Sequence, residues 1–169
     1  MKTFSIGFRN HCIQSWHILL YTSVFLVFPW YFKVQYGNES VDFAYKAVWF
    51  AFVAVLIPYV IIHFRYWWVN ARVTVTFSKS AFSINWRGEE LDFSYSDIDT
   101  IELVESYASA NKAPQWFPWD CYSYAKIILK GGRVVVVTSL LVRHLNILYK
   151  LPKEKRLKTI YCWPPSIVL

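Results

Sequence analysis

The sequence predicts an α+β membrane protein. A transmembrane helical hairpin over residues 1–70 precedes an antiparallel β domain over 71–151 closed by a C-terminal helix, and a tail follows over 152–169. Three observations predict this. Two uncharged apolar stretches lie in the first half of the chain, each long enough to cross a bilayer. From Arg72 to about Leu103 short runs of apolar residues alternate with polar ones. The composition leans toward lipid: of 169 residues 56% are hydrophobic, 20% aromatic and only 17% charged, whereas an ordinary soluble domain has roughly 45–50% apolar and about 25% charged residues. So many aromatics and so few charges exclude a disordered chain. Three scattered cysteines, Cys12, Cys121 and Cys162, form no disulfide framework, and no Cys-x-x-Cys or paired His spacing suggests zinc.

The first apolar stretch, Cys12 to Phe32, contains no Lys, Arg, Asp or Glu, and only Thr22 and Ser23 interrupt its centre. The second, Ala47 to Phe64, is equally uncharged. About twenty such residues at roughly 1.5 Å each span a bilayer core. Trp30, Tyr31, Tyr36, Trp49, Tyr66, Trp67 and Trp68 crowd the boundaries, where aromatic rings favour the headgroup level. Pro29 and Pro58 predict local kinks. Bulky Trp30-Tyr31-Phe32 after the first core offers no small-residue cleavage site, so this stretch reads as an anchor and not a signal peptide. Lys2 and Arg9 precede the first span, and Arg65, Arg72 and Lys79 follow the second. The connecting loop balances Lys33 and Lys46 with Glu39 and Asp42. This bias predicts both termini in the cytoplasm and the short loop outside. Asn38-Glu39-Ser40 in that loop matches a glycosylation sequon, a match too short to carry weight.

The net charge is +7, and its excess lies in residues 1–70 and in the tail, where Lys153, Lys155, Arg156 and Lys158 face a single Glu154, while the middle of the chain is nearly neutral. A nucleic-acid-binding domain would gather basic residues on its folded face. The distribution here suits an anionic lipid leaflet instead.

Period-two alternation predicts strands over Val73–Phe77, Phe82–Trp86, Leu91–Tyr95 and about Ile101–Leu103, with turns at Ser78-Lys79-Ser80 and Arg87-Gly88. Two further strands, Tyr122–Leu129 and Arg133–Thr138, meet across Gly131-Gly132, a turn expected to need positive φ at both glycines. Ser139 reads as the N-cap of a helix with Leu141, Leu145, Leu148 and Tyr149 on one face, ended by Pro152. The expected core comprises Val75, Phe77, Phe82, Ile84, Leu91, Phe93, Ile128, Val135, Val137, Leu141, Leu145 and Leu148.

The phrase Tyr95-Ser96-Asp97-Ile98-Asp99-Thr100-Ile101, the Lys130-Gly131-Gly132-Arg133 hairpin and the final amphipathic helix resemble bacterial pleckstrin-homology-like domains. Ser96, Ile98 and Ile101 match the family's Ser-x-Ile-x-x-Ile step, and two preceding membrane spans are a common arrangement in it. The resemblance covers about Arg72 to Leu151. It implies a seven-strand, partly open barrel capped by a helix. Six strands are read here, and the seventh is expected within Ser106–Asp120 or near Val69–Val73.

No nucleophile motif, zinc-helix motif or phosphate-cradling glycine loop is present, and the acids from Glu89 to Glu105 fall mostly on the outward phase of strands. The sequence therefore predicts a binding protein, with no cofactor or metal and no nucleic acid. Lipid-binding members of the family place basic residues around the first hairpin. Lys79 and Arg87 match, but Asn85 stands where a third is expected, so a headgroup site there is weak. His17 and His63 are expected at similar depth, hydrogen-bonded to backbone or water. Cys12 lies where an acyl chain could attach, although a plain interfacial thiol is the simpler reading. Two segments point to contact with a membrane or a protein partner, or a second copy of the chain. One is the fifteen-residue loop Ser106–Asp120 with Trp116, Phe117 and Trp119; the other is the basic tail with Lys153, Lys155, Arg156 and Lys158. The alternative is that these aromatics fold back over the domain. The expected role is an accessory or assembly subunit of a bacterial inner-membrane complex, or else a sensor of lipid or envelope stress at the membrane surface.

Overall fold

The computed structural model describes residues 1–169 except 38–40, 79, 87, 146–155, 163, 166, 168 and 169. The chain opens with a short strand, β1 (Lys2–Ser5). Two long helices follow, α1 (Phe8–Tyr36) and α2 (Val41–Asn70). The rest of the first sheet is β2 (Val73–Phe77), β3 (Ala81–Trp86) and β4 (Glu89–Ser94), and the second begins with β5 (Ile98–Glu105). A one-turn helix, α3 (Tyr107–Ala110), interrupts the loop before β6 (Ser123–Leu129) and β7 (Val134–Thr138), and β8 (Arg156–Tyr161) comes last.

The first sheet has the order β1-β2-β3-β4, all antiparallel, and the second the order β7-β6-β5-β8. These are two four-stranded sheets, with no closed barrel among the described residues. The missing strand is β1, which lies before the spans and not in either place the sequence suggested. It pairs with β2 from Lys2↔Phe77 to Ser5↔Thr74. The helical hairpin is therefore the connection between two neighbouring strands, joined through Ile6-Gly7 on one side and Ala71-Arg72 on the other. Arg72 takes φ 62, which turns the chain sharply out of α2. β8 is a further strand, parallel to β5 from Thr100↔Arg156 to Glu105↔Tyr161.

The step between the sheets shows why Ser96, Ile98 and Ile101 are spaced as they are. Ser94 caps a 3₁₀ turn over Tyr95–Asp97: its hydroxyl accepts from Ser96 N at 3.2 Å, and Asp97 Oδ2 accepts from Ser94 N at 2.9 Å. The turn rotates the chain so that Ile98 and Ile101 both point inward, 0% and 1% exposed. At the β6–β7 hairpin only Gly132 has positive φ (77), not both glycines. The loop is a three-residue one, closed by Gly132 N to Leu129 O at 2.8 Å and Leu129 N to Arg133 O at 2.9 Å.

Two apolar clusters organise the molecule. The first lies between the sheets and contains Val75, Phe77, Phe82, Ile84, Val137, Leu141 and Leu145, with Phe93 and Val135 packed against it. Ile128 was expected inside but lies on the other phase of β6; Ile127 and Leu129 fill the core instead. Leu91 is half-buried, and Leu148 lies outside the described residues. The second cluster joins α2 to the outer face of the second sheet through Tyr59, Ile62, Tyr66, Val104, Trp119, Tyr122, Tyr124, Leu140 and Ile167.

An α-helix starting at Ser139 is not found. Leu141 N and Val142 N both bond Thr138 O, a 3₁₀ turn covers Arg143–Leu145, and Leu145 adopts φ 48, which a continuous helix excludes. The Ser139 hydroxyl instead accepts from Ser123 N at 3.1 Å. The remainder of the expected capping helix lies outside the described residues.

Both long helices are apolar and long enough to cross a membrane, and only 17% and 11% of their most apolar stretches are buried, unlike helices of a soluble core. The two hydroxyls at the centre of α1 are satisfied within it: Thr22 Oγ1 donates to Ile18 O at 2.7 Å and Ser23 Oγ to Leu19 O at 2.9 Å.

Candidate functional site

The residues of greatest functional interest lie where the helical hairpin meets the second sheet. α1 has 29 residues, about 44 Å at 1.5 Å each, which exceeds a hydrocarbon core of about 30 Å. Its first turns and the last turns of α2 pack on the domain, and the remainder projects beyond it.

Side-chain hydrogen bonds fix this junction. Asn70, 2% exposed at the end of α2, donates from Nδ2 to Val136 O and accepts at Oδ1 from Thr138 N, both at 2.9 Å. Its amide thus continues the outer edge of β7. Asn10 Nδ2 donates to Leu140 O at 2.9 Å. Gln14 Nε2 donates to Cys121 O at 2.7 Å. Tyr66 Oη, fully buried, donates to Pro165 O at 2.8 Å. Tyr59 Oη donates to Ser15 Oγ at 2.6 Å between the helices.

A histidine pair runs through the centre. His63 does not share its level with His17; its Nε2 lies 2.9 Å from His11 Nδ1, and its Nδ1 lies 2.5 Å from Tyr122 Oη. With both imidazoles neutral every link is satisfied: Tyr122 O–H donates to His63 Nδ1, and His63 Nε2–H donates to His11. Burial pushes the Tyr122 hydroxyl far up, so it serves as a donor and not as an acid. His17 sits elsewhere, its ring 3.9 Å from that of Trp16, and its buried Nδ1 has no partner. No group of three or more metal-ligating side chains occurs among the described residues.

The loop expected to form a contact surface is divided. Trp116 is 72% exposed, and its carbonyl accepts a hydrogen bond from Tyr21 Oη of α1. Phe117 is 38% exposed and stacks on Trp119 at 5.0 Å with planes 9° apart. Trp119 is only 6% exposed and belongs to the second cluster, so its ring holds the domain to the hairpin rather than facing a partner. Ser106 caps α3 and donates to Asp120 O at 3.1 Å, which draws the two ends of the loop together.

The tail returns to the domain. Arg156 and Lys158 lie on β8, Lys158 opposite Glu102 and exposed. Tyr161 meets Tyr107 at 5.9 Å, and Ile167 is buried. Lys153 and Lys155, and likewise Lys79 and Arg87, lie outside the described residues. Cys12 is exposed on α1. Sequence reasoning missed Asn10, His11, Gln14 and Asn70. These are polar residues at the ends of apolar helices, a signal that reads as simple solvation until the helices are seen to dock.

A family model described as a PH domain matches residues 3–150. The matched segment begins in β1 and includes both long helices, as expected if the hairpin is an insertion between the first two strands. No curated protein and no solved structure matches the chain significantly. The match covers most of the sequence and joins the strand-turn-strand step at Ser96–Ile101 to the two packed sheets: the chain belongs to the PH-domain family.

Proposed function

We propose that the protein is a membrane-anchored binding module, an accessory or assembly subunit of a bacterial inner-membrane complex, with β domain and termini in the cytoplasm. The supporting observation is the double joint. Because β1 and β2 are hydrogen-bonded neighbours, both ends of the hairpin lie on one side of any membrane it enters, and Asn70, Asn10 and the His11–His63–Tyr122 chain lock the domain to it. Such a domain cannot swing on a tether. It presents one fixed face to its surroundings, which favours docking against a neighbouring membrane subunit. The exposed apolar faces of the helices, with Leu19, Leu26, Phe50 and Ile57 outward, suit lipid or another helix.

The experiment is a photo-crosslinking amino acid at Trp116 or Lys158 in native membranes. A discrete protein adduct supports the subunit reading. Adducts to lipid alone would favour the alternative, a reader of the membrane surface, and no adduct at either position would remove this face from the account.

A further inference from the structure

One cavity is left unexplained by the docking contacts. It measures about 710 Å³ and lies between α1, the end of β5 and the 106–120 loop, with Gln14, Trp16, His17, Glu105, Lys112 and Arg143 among its walls. It is a partly open cleft, with exposed Lys112 and Arg143 at its rim and buried Gln14 and His17 deeper in. Its volume falls within the roughly 300–1,000 Å³ of small-molecule sites.

The lining is chemically mixed. Lys112 and Arg143 bring positive charge, and Glu105 brings a carboxyl. His17 forms part of the wall, is only 6% exposed, and has Nδ1 without a hydrogen-bond partner. A buried polar atom left unpaired is costly unless something arrives to pair it. Burial also raises the Glu105 carboxyl above its ordinary range, against an opposing hydrogen bond from Ser109, so the group gains from a cationic partner. None of the described residues of the β2–β3 turn lines the cavity.

Its position narrows the ligand, on the membrane-anchored reading above. If α1 extends about 14 Å beyond the hydrocarbon core, its first nine or so residues stand outside it, and Gln14 to His17 lie at headgroup level. Trp16, half exposed beside the cavity, has the amphipathic ring that favours this level.

We propose that this cavity takes the headgroup of an amine-bearing phospholipid, with the phosphate on His17, Lys112 and Arg143 and the ammonium on Glu105. The cations and the imidazole N–H match a phosphate. The carboxyl beside them repels a purely anionic headgroup and selects the zwitterion.

The test uses the full chain purified in a maltoside detergent and stripped of phospholipid. Tryptophan fluorescence follows titration with dihexanoyl-phosphatidylethanolamine, and dihexanoyl-phosphatidylglycerol, glycerophosphoethanolamine and inorganic phosphate serve as comparators. The ethanolamine lipid should bind about tenfold or more tightly than the glycerol lipid. Lys112→Ala should weaken both lipids about tenfold, and Glu105→Gln should bring their ratio close to one. Equal affinity of the two lipids for the native chain, no effect of either substitution, or no binding would overturn the proposal. Glycerophosphoethanolamine or phosphate binding as tightly as the lipid would assign the cavity to a soluble phosphate compound and overturn the lipid assignment. Alkaline extraction of membranes separates this from the anchor: a chain that resists extraction but fails the titration sinks the cavity proposal alone, whereas a chain released by alkali sinks the anchored reading.

Discussion

Asn70→Ala should loosen the whole junction between hairpin and domain. The native amide makes two backbone hydrogen bonds at 2.9 Å to β7, and both Asn70 and Thr138 are buried, at 2% and 0% exposure. Removing it orphans Thr138 N–H, for which a buried unsatisfied group costs roughly 1–3 kcal/mol. Val136 O is better placed to find water, because Val136 is half-buried, and its loss adds about 1 kcal/mol. The total is about 2–4 kcal/mol. Asn70→Asp keeps the acceptor for Thr138 N–H but sets a carboxylate oxygen against Val136 O at a site only 2% exposed, so it should cost at least as much as the alanine. The assay is chemical unfolding in detergent combined with amide hydrogen exchange. If opening sets the exchange rate of Thr138, its protection should fall by a factor of about 30 or more in the alanine variant. A loss below about 0.5 kcal/mol with Thr138 exchange unchanged would mean that Asn70 is not the clamp and that the joint between α2 and β7 rests on the aromatic cluster alone.

Trp119→Ala should destabilise the protein by about 3–5 kcal/mol, whereas Trp116→Ala should stay within about 0.5 kcal/mol; thermal melts of the two would refute the division of the loop if they coincide. Leu145→Ala, at a site 1% exposed, should cost about 2–5 kcal/mol by the same measurement, and a cost near zero would show that the segment after β7 does not close the core. The Cys121 thiol is pushed up to about 12 by burial, so at pH 8 maleimide should modify exposed Cys12 and reach Cys121 only after denaturation; equal labelling rates in the native chain would contradict this. Glu105 has a raised folded-state value, so the folded protein binds its proton more readily than the unfolded one. The stability this confers is present below the unfolded value and is lost as pH rises through the folded one. Glu105→Gln should therefore flatten the fall in stability between acid and neutral pH, and an unchanged pH profile would refute the burial argument.

Much of the β domain was legible because its signals are local. Alternation gave β2, β3 and β4 nearly to the residue, and the Ser94–Asp97 capping box sits inside the phrase that carried the family resemblance. The parts that escaped depend on partners distant in sequence. Lys2–Ser5 is too short to announce a strand, and its pairing with residues 74–77 is visible only once the hairpin brings the two together. The phase error at Ile128 has a similar cause. β6 is apolar on both faces, because one packs between the sheets and the other on α2, so alternation gives no direction. Helical spacing from Leu141 to Tyr149 suggested a helix, but the backbone turns at Leu145 with φ 48. The candidate site was the least legible part. Trp116 and Trp119 look equivalent in sequence, yet the Asp120 carboxylate, which accepts from Phe117 N at 3.0 Å, curls the loop so that one ring is buried and the other is not.

On the proposed reading, the connection between the first two strands of the PH domain enters the membrane and returns. Site-directed labelling tests this directly. In an otherwise cysteine-free chain, a single cysteine is placed either at Tyr36, exposed at the far end of α1, or at Lys130, exposed in the β6–β7 hairpin. A membrane-impermeant maleimide should modify Tyr36→Cys in intact cells and Lys130→Cys only after the membrane is breached. Labelling of both positions from the same side would show that the hairpin does not cross, and would contradict the account.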